Sequence, residues 1–161
     1  MADGAGERDV VIRPVVPGDA AAWTAMREQL GPVWTVPGFA QQIERFFQTG
    51  RIDHLRHAVF VATDGEGGEP IGLAEVSLRE YAEGCSTSPV GFLEGWFVKQ
   101  EARGRGVGRM LVEAGERWAR EQGCTEFASD AEADNAASIR AHKALGFENL
   151  GAVVCFRKSL G

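Results

Sequence analysis

Phe92-Leu-Glu-Gly-Trp-Phe-Val-Lys-Gln-Glu-Ala-Arg-Gly-Arg-Gly-Val-Gly-Arg-Met-Leu-Val-Glu113 is the stretch on which the fold turns. It begins as an apolar strand, crosses a turn crowded with Gly and Arg, and becomes a run in which Val107, Met110, Leu111 and Ala114 recur at helical spacing. Strand, glycine turn and helix in that order make an anion site. The first N–H groups of a helix have no partner within it and lie at the positive end of its dipole, so a phosphate there satisfies several donors at once. Gly104, Gly106 and Gly108 carry no Cβ to hold a ligand away. Four basic residues (Lys99, Arg103, Arg105, Arg109) against one acid, Glu101, give this segment a balance of four minus one, +3, on a chain whose net charge is −6. A basic island on an acidic chain suits a specific anion rather than a polyanion. No Gly-Lys-Ser/Thr follows the glycines, and no acid ends a second strand at dinucleotide spacing, which points away from ATP and NAD.

Composition narrows the class. At 161 residues, with 44% hydrophobic and 25% charged side chains, the chain suits one domain able to bury its own core. The N-terminus has no basic region followed by an apolar run, and no apolar stretch is long enough to span a bilayer, so the expected location is the cytosol with no membrane partner. Cys85, Cys124 and Cys155 are odd in number and far apart, which predicts buried free thiols with neither a disulfide nor a metal site. His54 and His57 are three apart without further ligands, and read as a solvated loop. A net negative charge argues against nucleic acid and fits a cationic substrate.

Along the chain, Met1 to Asp9 reads as a disordered tail, and residues 10–161 as a single domain. Val10 to Val15 predicts a strand, and Asp19 the cap of a helix carrying Ala22, Trp23, Met26 and Leu30 on one side. Trp34, between Pro32 and Pro37, is either a core aromatic or a cleft residue. Phe39 to Thr49 predicts a second helix closed by Gly50, with Ile43, Phe46 and Phe47 inward. His57 to Thr63 and Pro70 to Arg79 form a hairpin, with Ile71, Leu73 and Glu75 on one face of the second strand. Tyr81 to Pro89 is a long connection of the kind that carries function or lacks order. After the central strand and its helix come a short strand, Thr125 to Ser129, with Asp130 at its C-terminal end, a helix from Asn135 to Leu145, and a final strand from Ala152 to Lys158. The order predicts an α+β fold: one twisted, mixed sheet with helices on both faces. Glu94 lies inside an apolar strand, where a carboxylate must face a cleft or meet a cation in a structural ion pair.

The loop Arg103-Gly-Arg-Gly106-Val-Gly108 resembles the acyl-CoA pyrophosphate loop of the GNAT superfamily of N-acetyltransferases, and Asn135-Ala-Ala-Ser-Ile-Arg-Ala-His142-Lys-Ala-Leu-Gly146-Phe147 resembles the helix that follows it there. Tyr81-Ala-Glu-Gly-Cys85, Ser88-Pro89, Phe92-Leu-Glu-Gly95, Ala128-Ser-Asp130 and Phe156-Arg-Lys158 are similar to the bacterial aminoglycoside 6′-N-acetyltransferases, over about Val11 to Lys158. The resemblance implies a GNAT domain that takes acetyl-CoA as co-substrate without a metal, acts on an aminoglycoside antibiotic and forms a homodimer. It also implies cofactor contacts from Arg103, Gly104, Arg105, Gly106, Val107, Gly108 and Arg109, from backbone at Trp96, Phe97 and Val98, and from Asn135. Trp34, Tyr81, Glu94 and Asp130 would meet the acceptor, with Glu94 and Asp130 making an anionic pocket and Glu94 taking the amine's proton. His142 stands where many GNAT enzymes place a Tyr that protonates the leaving thiolate, and Phe156 where the aminoglycoside enzymes often have another. Two rivals stay open: a GNAT enzyme for another small amine, a polyamine or a protein N-terminus, and, because neither expected tyrosine is present, a non-catalytic acyl-CoA sensor.

Overall fold

A computed structural model describes residues 9–31 and 37–161. The strands are β1 (Val10–Pro14), β2 (Arg51–Ile52), β3 (Leu55–Asp64), β4 (Pro70–Arg79), β5 (Val90–Val98) and β6 (Phe127–Ser129). The helices are α1 (Ala20–Glu28), α2 (Phe39–Thr49), α3 (Val107–Glu121) and α4 (Ala136–Ala144). Residues up to Ser129 form one compact unit, and Asp130–Gly161 a second, smaller one. The sheet runs β1-β3-β4-β5-β6, with β2 pairing the start of β3. Neighbours are antiparallel except β5 and β6, which are parallel and therefore need the crossover that α3 supplies.

Period-two alternation decides which side each helix covers. Val59, Val61 and Leu73 pack on Trp23 and Met26 of α1 and on Phe39 and Ile43 of α2. The Trp23 ring meets Phe39, Phe46 and Phe47 edge-on at 5.9, 5.2 and 6.1 Å, the geometry that aromatic quadrupoles favour. The opposite face takes α3 at very close range. A methyl on Gly72 would lie 2.9 Å from Leu111, and one on Gly115 2.7 Å from Val76. The expected mixed sheet with helices on both faces is thus what forms. α2 spans the residues its pattern predicts, framed by Gly38 and Gly50 at φ 87° and 68°.

Three local expectations are corrected. Asp19 does not cap α1 through its side chain; its carboxylate accepts from the Val16 N–H at 2.9 Å and from Arg13, holding the short 3-10 turn Pro17–Asp19 that precedes the helix. Ala152 to Lys158 forms no strand, and Val153, Val154 and Phe156 are 70%, 77% and 93% exposed. β-propensity measures fitness for a sheet surface, and no strand among the described residues supplies one to this segment. The three thiols are free, but only Cys124 is buried; Cys85 is partly covered and Cys155 exposed, because the segment carrying Cys155 does not pack as a strand. Trp34 and residues 1–8 of the expected tail lie outside the described residues.

Candidate active site

The backbone of β5 changes character at Glu94. Its register pairs Leu93 with Val76 and Gly95 with Glu75, which leaves Glu94 as the extra residue of a β-bulge. A bulge leaves one residue without a cross-strand partner and re-aims its side chain. β6 pairs only with Gly91, Phe92 and Leu93, so β5 continues through Glu94, Gly95, Trp96, Phe97 and Val98 without β6 along that edge. On the other edge Trp96, Phe97 and Val98 pair with Ala74, Leu73 and Gly72 of β4.

Alternation along β4 places Glu75, Ser77 and Arg79 in a polar row on the α1 side of the sheet. Ser77 Oγ donates to Glu94 Oε1 at 2.5 Å. Arg79 Nε donates to the same oxygen at 2.8 Å, and Nη2 to Oε2 at 2.7 Å. The Arg79 guanidinium lies over the Phe92 ring at 3.6 Å. Glu94 therefore has the cation its apolar strand demanded, while its side chain stays 14% exposed. Ser77 and Arg79 were not singled out from the sequence, although Glu75-x-Ser77-x-Arg79 within an apolar strand is a readable period-two signal.

Within this row, Glu75 is buried. Its carboxylate accepts from Trp23 Nε1 at 2.6 Å and from Arg27 Nη1 at 3.0 and 3.3 Å, and Arg27 also lies 4.1 Å over the Phe39 ring. Burial pushes the Glu75 carboxyl up, against the Arg27 charge and the Trp23 hydrogen bond that pull it down. His57 is not in a solvated loop: it is part of β3, opposite Ser77 and partly buried. Its neighbours Val59 and Ser77 carry it onto the sheet face, and burial lowers its pKa. The Leu55 carbonyl, which can only accept, takes a hydrogen bond from its Nδ1 at 3.0 Å.

The glycine turn divides its labour. Gly104 and Gly106 have φ of 80° and 76°, a left-handed backbone that L side chains resist, with open space where a Cβ would stand. Gly108 has a packing reason to be bare. It lies in α3, and a methyl there would come within 2.8 Å of the Trp96 ring, so its bare Cα lets the helix start close against β5. Met110 N–H donates to Gly106 O at 3.1 Å as α3 closes, and the amides of Val107 and Gly108 come before it in the first turn. Arg103 Nε donates to Val98 O at 3.0 Å, and Arg105 Nη2 to Asp64 Oδ1 at 2.7 Å. Both arginines thus tie the loop to the ends of β5 and β3.

Tyr81 opens the connection between β4 and β5 and is 63% exposed. Its hydrogen bond with Glu83 raises the phenol's pKa. The far part of this loop is fixed by Glu126, whose Oε1 accepts from the Ser86 and Thr87 N–H groups and the Thr87 hydroxyl at 2.9, 2.8 and 2.5 Å. In the second unit Asp130 is exposed. Asn135 Oδ1 caps α4 by accepting from the Ser138 N–H at 3.0 Å. His142 Nδ1 donates to the Ser138 carbonyl at 2.8 Å, and its ring meets Phe147 edge-on at 5.2 Å. Among the described residues no cluster of three His, Cys, Asp or Glu could hold a metal, and no helix is long and apolar enough to cross a membrane.

Residues 23–147 match the Acetyltransferase (GNAT) family. The chain is 45% identical over 150 residues to an aminoglycoside N(6′)-acetyltransferase type 1 of Klebsiella aerogenes, covering 93% of this chain and 97% of that enzyme. It is 43% identical to the enzyme of the same name from Stenotrophomonas maltophilia, covering 92% and 93%. Among solved structures it resembles AAC(6′)-Iy in complex with the bisubstrate analogue CoA-S-monomethyl-acetylneamine, at 38% identity and a TM-score of 0.80 over 94% and 99% of the two chains. It also resembles the aminoglycoside 6′-N-acetyltransferase AAC(6′)-Ih from Acinetobacter baumannii, at 35% identity and a TM-score of 0.82 over 95% and 100%.

Proposed function

The chain belongs to the Acetyltransferase (GNAT) family, and from that premise we infer that it moves the acetyl group of acetyl-CoA onto the 6′-amine of an aminoglycoside. One observation carries the reading: a carboxylate raised on a bulge stands where β5 outruns β6 on its way to the amide end of α3. The diphosphate of coenzyme A suits the amides of Val107, Gly108 and Arg109, with Arg103, Gly104, Arg105 and Gly106 around it. The pantetheine arm suits the stretch Trp96, Phe97 and Val98 of β5, beyond the residues that pair with β6, where a backbone N–H would also polarise the thioester carbonyl, an effect on the order of 3 kcal/mol. Asn135 is assigned to the same arm.

The acceptor arrives as an ammonium and gives a proton to Glu94, directly or through water. The freed lone pair forms the C–N bond, the C–S bond breaks, the new amide nitrogen sheds its second proton to water, and the thiolate takes up a proton, with His142 its candidate donor. Asp130, Tyr81 and Trp34 complete the acceptor side. Acetylation removes a positive charge with which the drug binds ribosomal RNA, so the cellular outcome is antibiotic resistance, exerted in the cytoplasm where acetyl-CoA is at hand. The reading requires neither membrane nor nucleic acid. A homodimer is its expected assembly, and exposed Val153, Val154, Phe156 and Leu160 are apolar surface a second copy could cover; light scattering at twice the chain mass tests this.

Thiol release from acetyl-CoA with kanamycin, compared with spermidine and a peptide, tests the function. Turnover with kanamycin and acetylation at the 6′-amine are the expected results. Release only with spermidine or peptide, or cofactor binding without release, would overturn it. Glu94→Gln should lower kcat/KM by roughly 100-fold or more, and wild-type kcat/KM in that variant would remove Glu94 from the mechanism.

A further inference from the structure

We infer that Arg79 and Ser77 are positioning residues that leave the Glu94 carboxylate one point of attachment for the acceptor amine, the remaining acceptor direction on Oε2. The inference rests on the acetyl-transfer reading above. An ionised carboxylate can accept about four hydrogen bonds. Oε1 takes two, from Ser77 Oγ and Arg79 Nε, and Oε2 takes one, from Arg79 Nη2. A single direction is left, and it belongs to Oε2.

The fixing is rigid because Arg79 is held twice. Its fork meets both carboxylate oxygens, and its plane rests on Phe92, itself only 5% exposed. Two donors in one plane set the plane of the carboxylate. Ser77 then makes the two oxygens unequal. A Glu without these donors would offer either oxygen from several directions, whereas here the ammonium is held along one N–H···Oε2 line, which fixes where the nitrogen stands.

Charge follows the same logic. The guanidinium and the carboxylate cancel, so Glu94 selects an ammonium by direction, and long-range attraction for a polycation comes from other acids on the chain. Removing Arg79 should therefore make the site more attractive to a cation and less able to use it.

Steady-state kinetics with kanamycin and acetyl-CoA on wild type, Arg79→Met, Arg79→Lys and Ser77→Ala test this. Arg79→Met should lose roughly 10- to 100-fold in kcat, with KM for kanamycin unchanged or lower. Arg79→Lys restores the charge without the fork and should recover little of the lost kcat. Ser77→Ala should lower kcat less, again without raising KM. Wild-type kcat in Arg79→Met, or a rise in KM at constant kcat, overturns the inference. Should Arg79→Met fold poorly, Arg79→Lys decides, since full kcat there means that charge alone suffices and the inference fails. Wild-type protein that does not turn over kanamycin overturns the proposed function as well; turnover by wild type beside undiminished Arg79 and Ser77 variants overturns this inference alone.

Discussion

Two carboxylate–arginine pairs share one face of the sheet and differ in what surrounds them. Glu75 with Arg27 is sealed, at 2% and 11% side-chain exposure, whereas Glu94 with Arg79 lies at the rim, at 14% and 35%. Desolvation decides the difference in role. Taking two charges out of water costs several kcal/mol per ion, which their attraction offsets only if every remaining lone pair is also met. Trp23 Nε1 supplies that extra donor for Glu75, and the cluster joins α1, α2 and β4 into one block. The rim pair stays partly hydrated and keeps an acceptor direction in reserve. The same two residue types thus fasten the scaffold in one place and leave a partly hydrated carboxylate in the other, and burial with donor count tells them apart.

The contrast breaks most visibly at the sealed pair. Arg27→Ala should cost about 3–5 kcal/mol, because it leaves a buried carboxylate uncompensated, and urea unfolding midpoints would measure it. Joint replacement by Arg27→Met and Glu75→Leu should recover most of that loss. Arg79→Met should change stability by about 1 kcal/mol or less, as partly exposed pairs do. Equal losses at both pairs would abolish the distinction.

A third pair, Arg13 with Asp19, sharpens the scale. Arg13 first, then the Val16 N–H, hold the Asp19 carboxyl below its ordinary 3.8, against burial. A depressed carboxyl contributes stability that is present above its unfolded value and lost as pH falls from there through the folded value. Thermal melts between about pH 6 and about pH 3 should therefore fall less steeply for Asp19→Asn than for wild type; parallel slopes would mean that the pair is inert.

The smallest expected effect belongs to His57. Burial lowers its pKa from 6.5, so the unfolded chain takes up the proton first as pH drops. Stability present above 6.5 should decline as pH falls from there through the folded value, and His57→Phe should flatten that part of the melting profile. A profile unchanged by the substitution would show that His57 does not contribute.

How much of this was legible in advance depended on range. α2 could be read because its limits are local, with glycines in left-handed conformation at both ends. Glu94 could be singled out because a carboxylate in an apolar strand needs company. Its company could not be named, because the bulge that re-aims it depends on the register of two strands and cannot be seen within one. Arg27 lies 48 residues from Glu75, yet Trp23 and Arg27, four apart on α1, already shared the inward face that the buried acid requires. Asp19 misled because capping residues hydrogen-bond whichever nearby amide the backbone presents. The last expected strand failed for the converse reason, since apolar alternation states a preference for a sheet without providing its edge.

Gly108 has a consequence for how such an enzyme could diversify. The seat of α3 touches the Trp96 ring, and Trp96 follows Glu94 by two residues on the same strand. The start of α3 and the Glu94 carboxylate are thereby gauged against one strand, as tool and workpiece are gauged by a jig; in the proposed reaction these are the donor and acceptor sides. Loops such as Tyr81 to Pro89 can then be retailored for sugars of different outline while the span the acetyl group must cross stays constant.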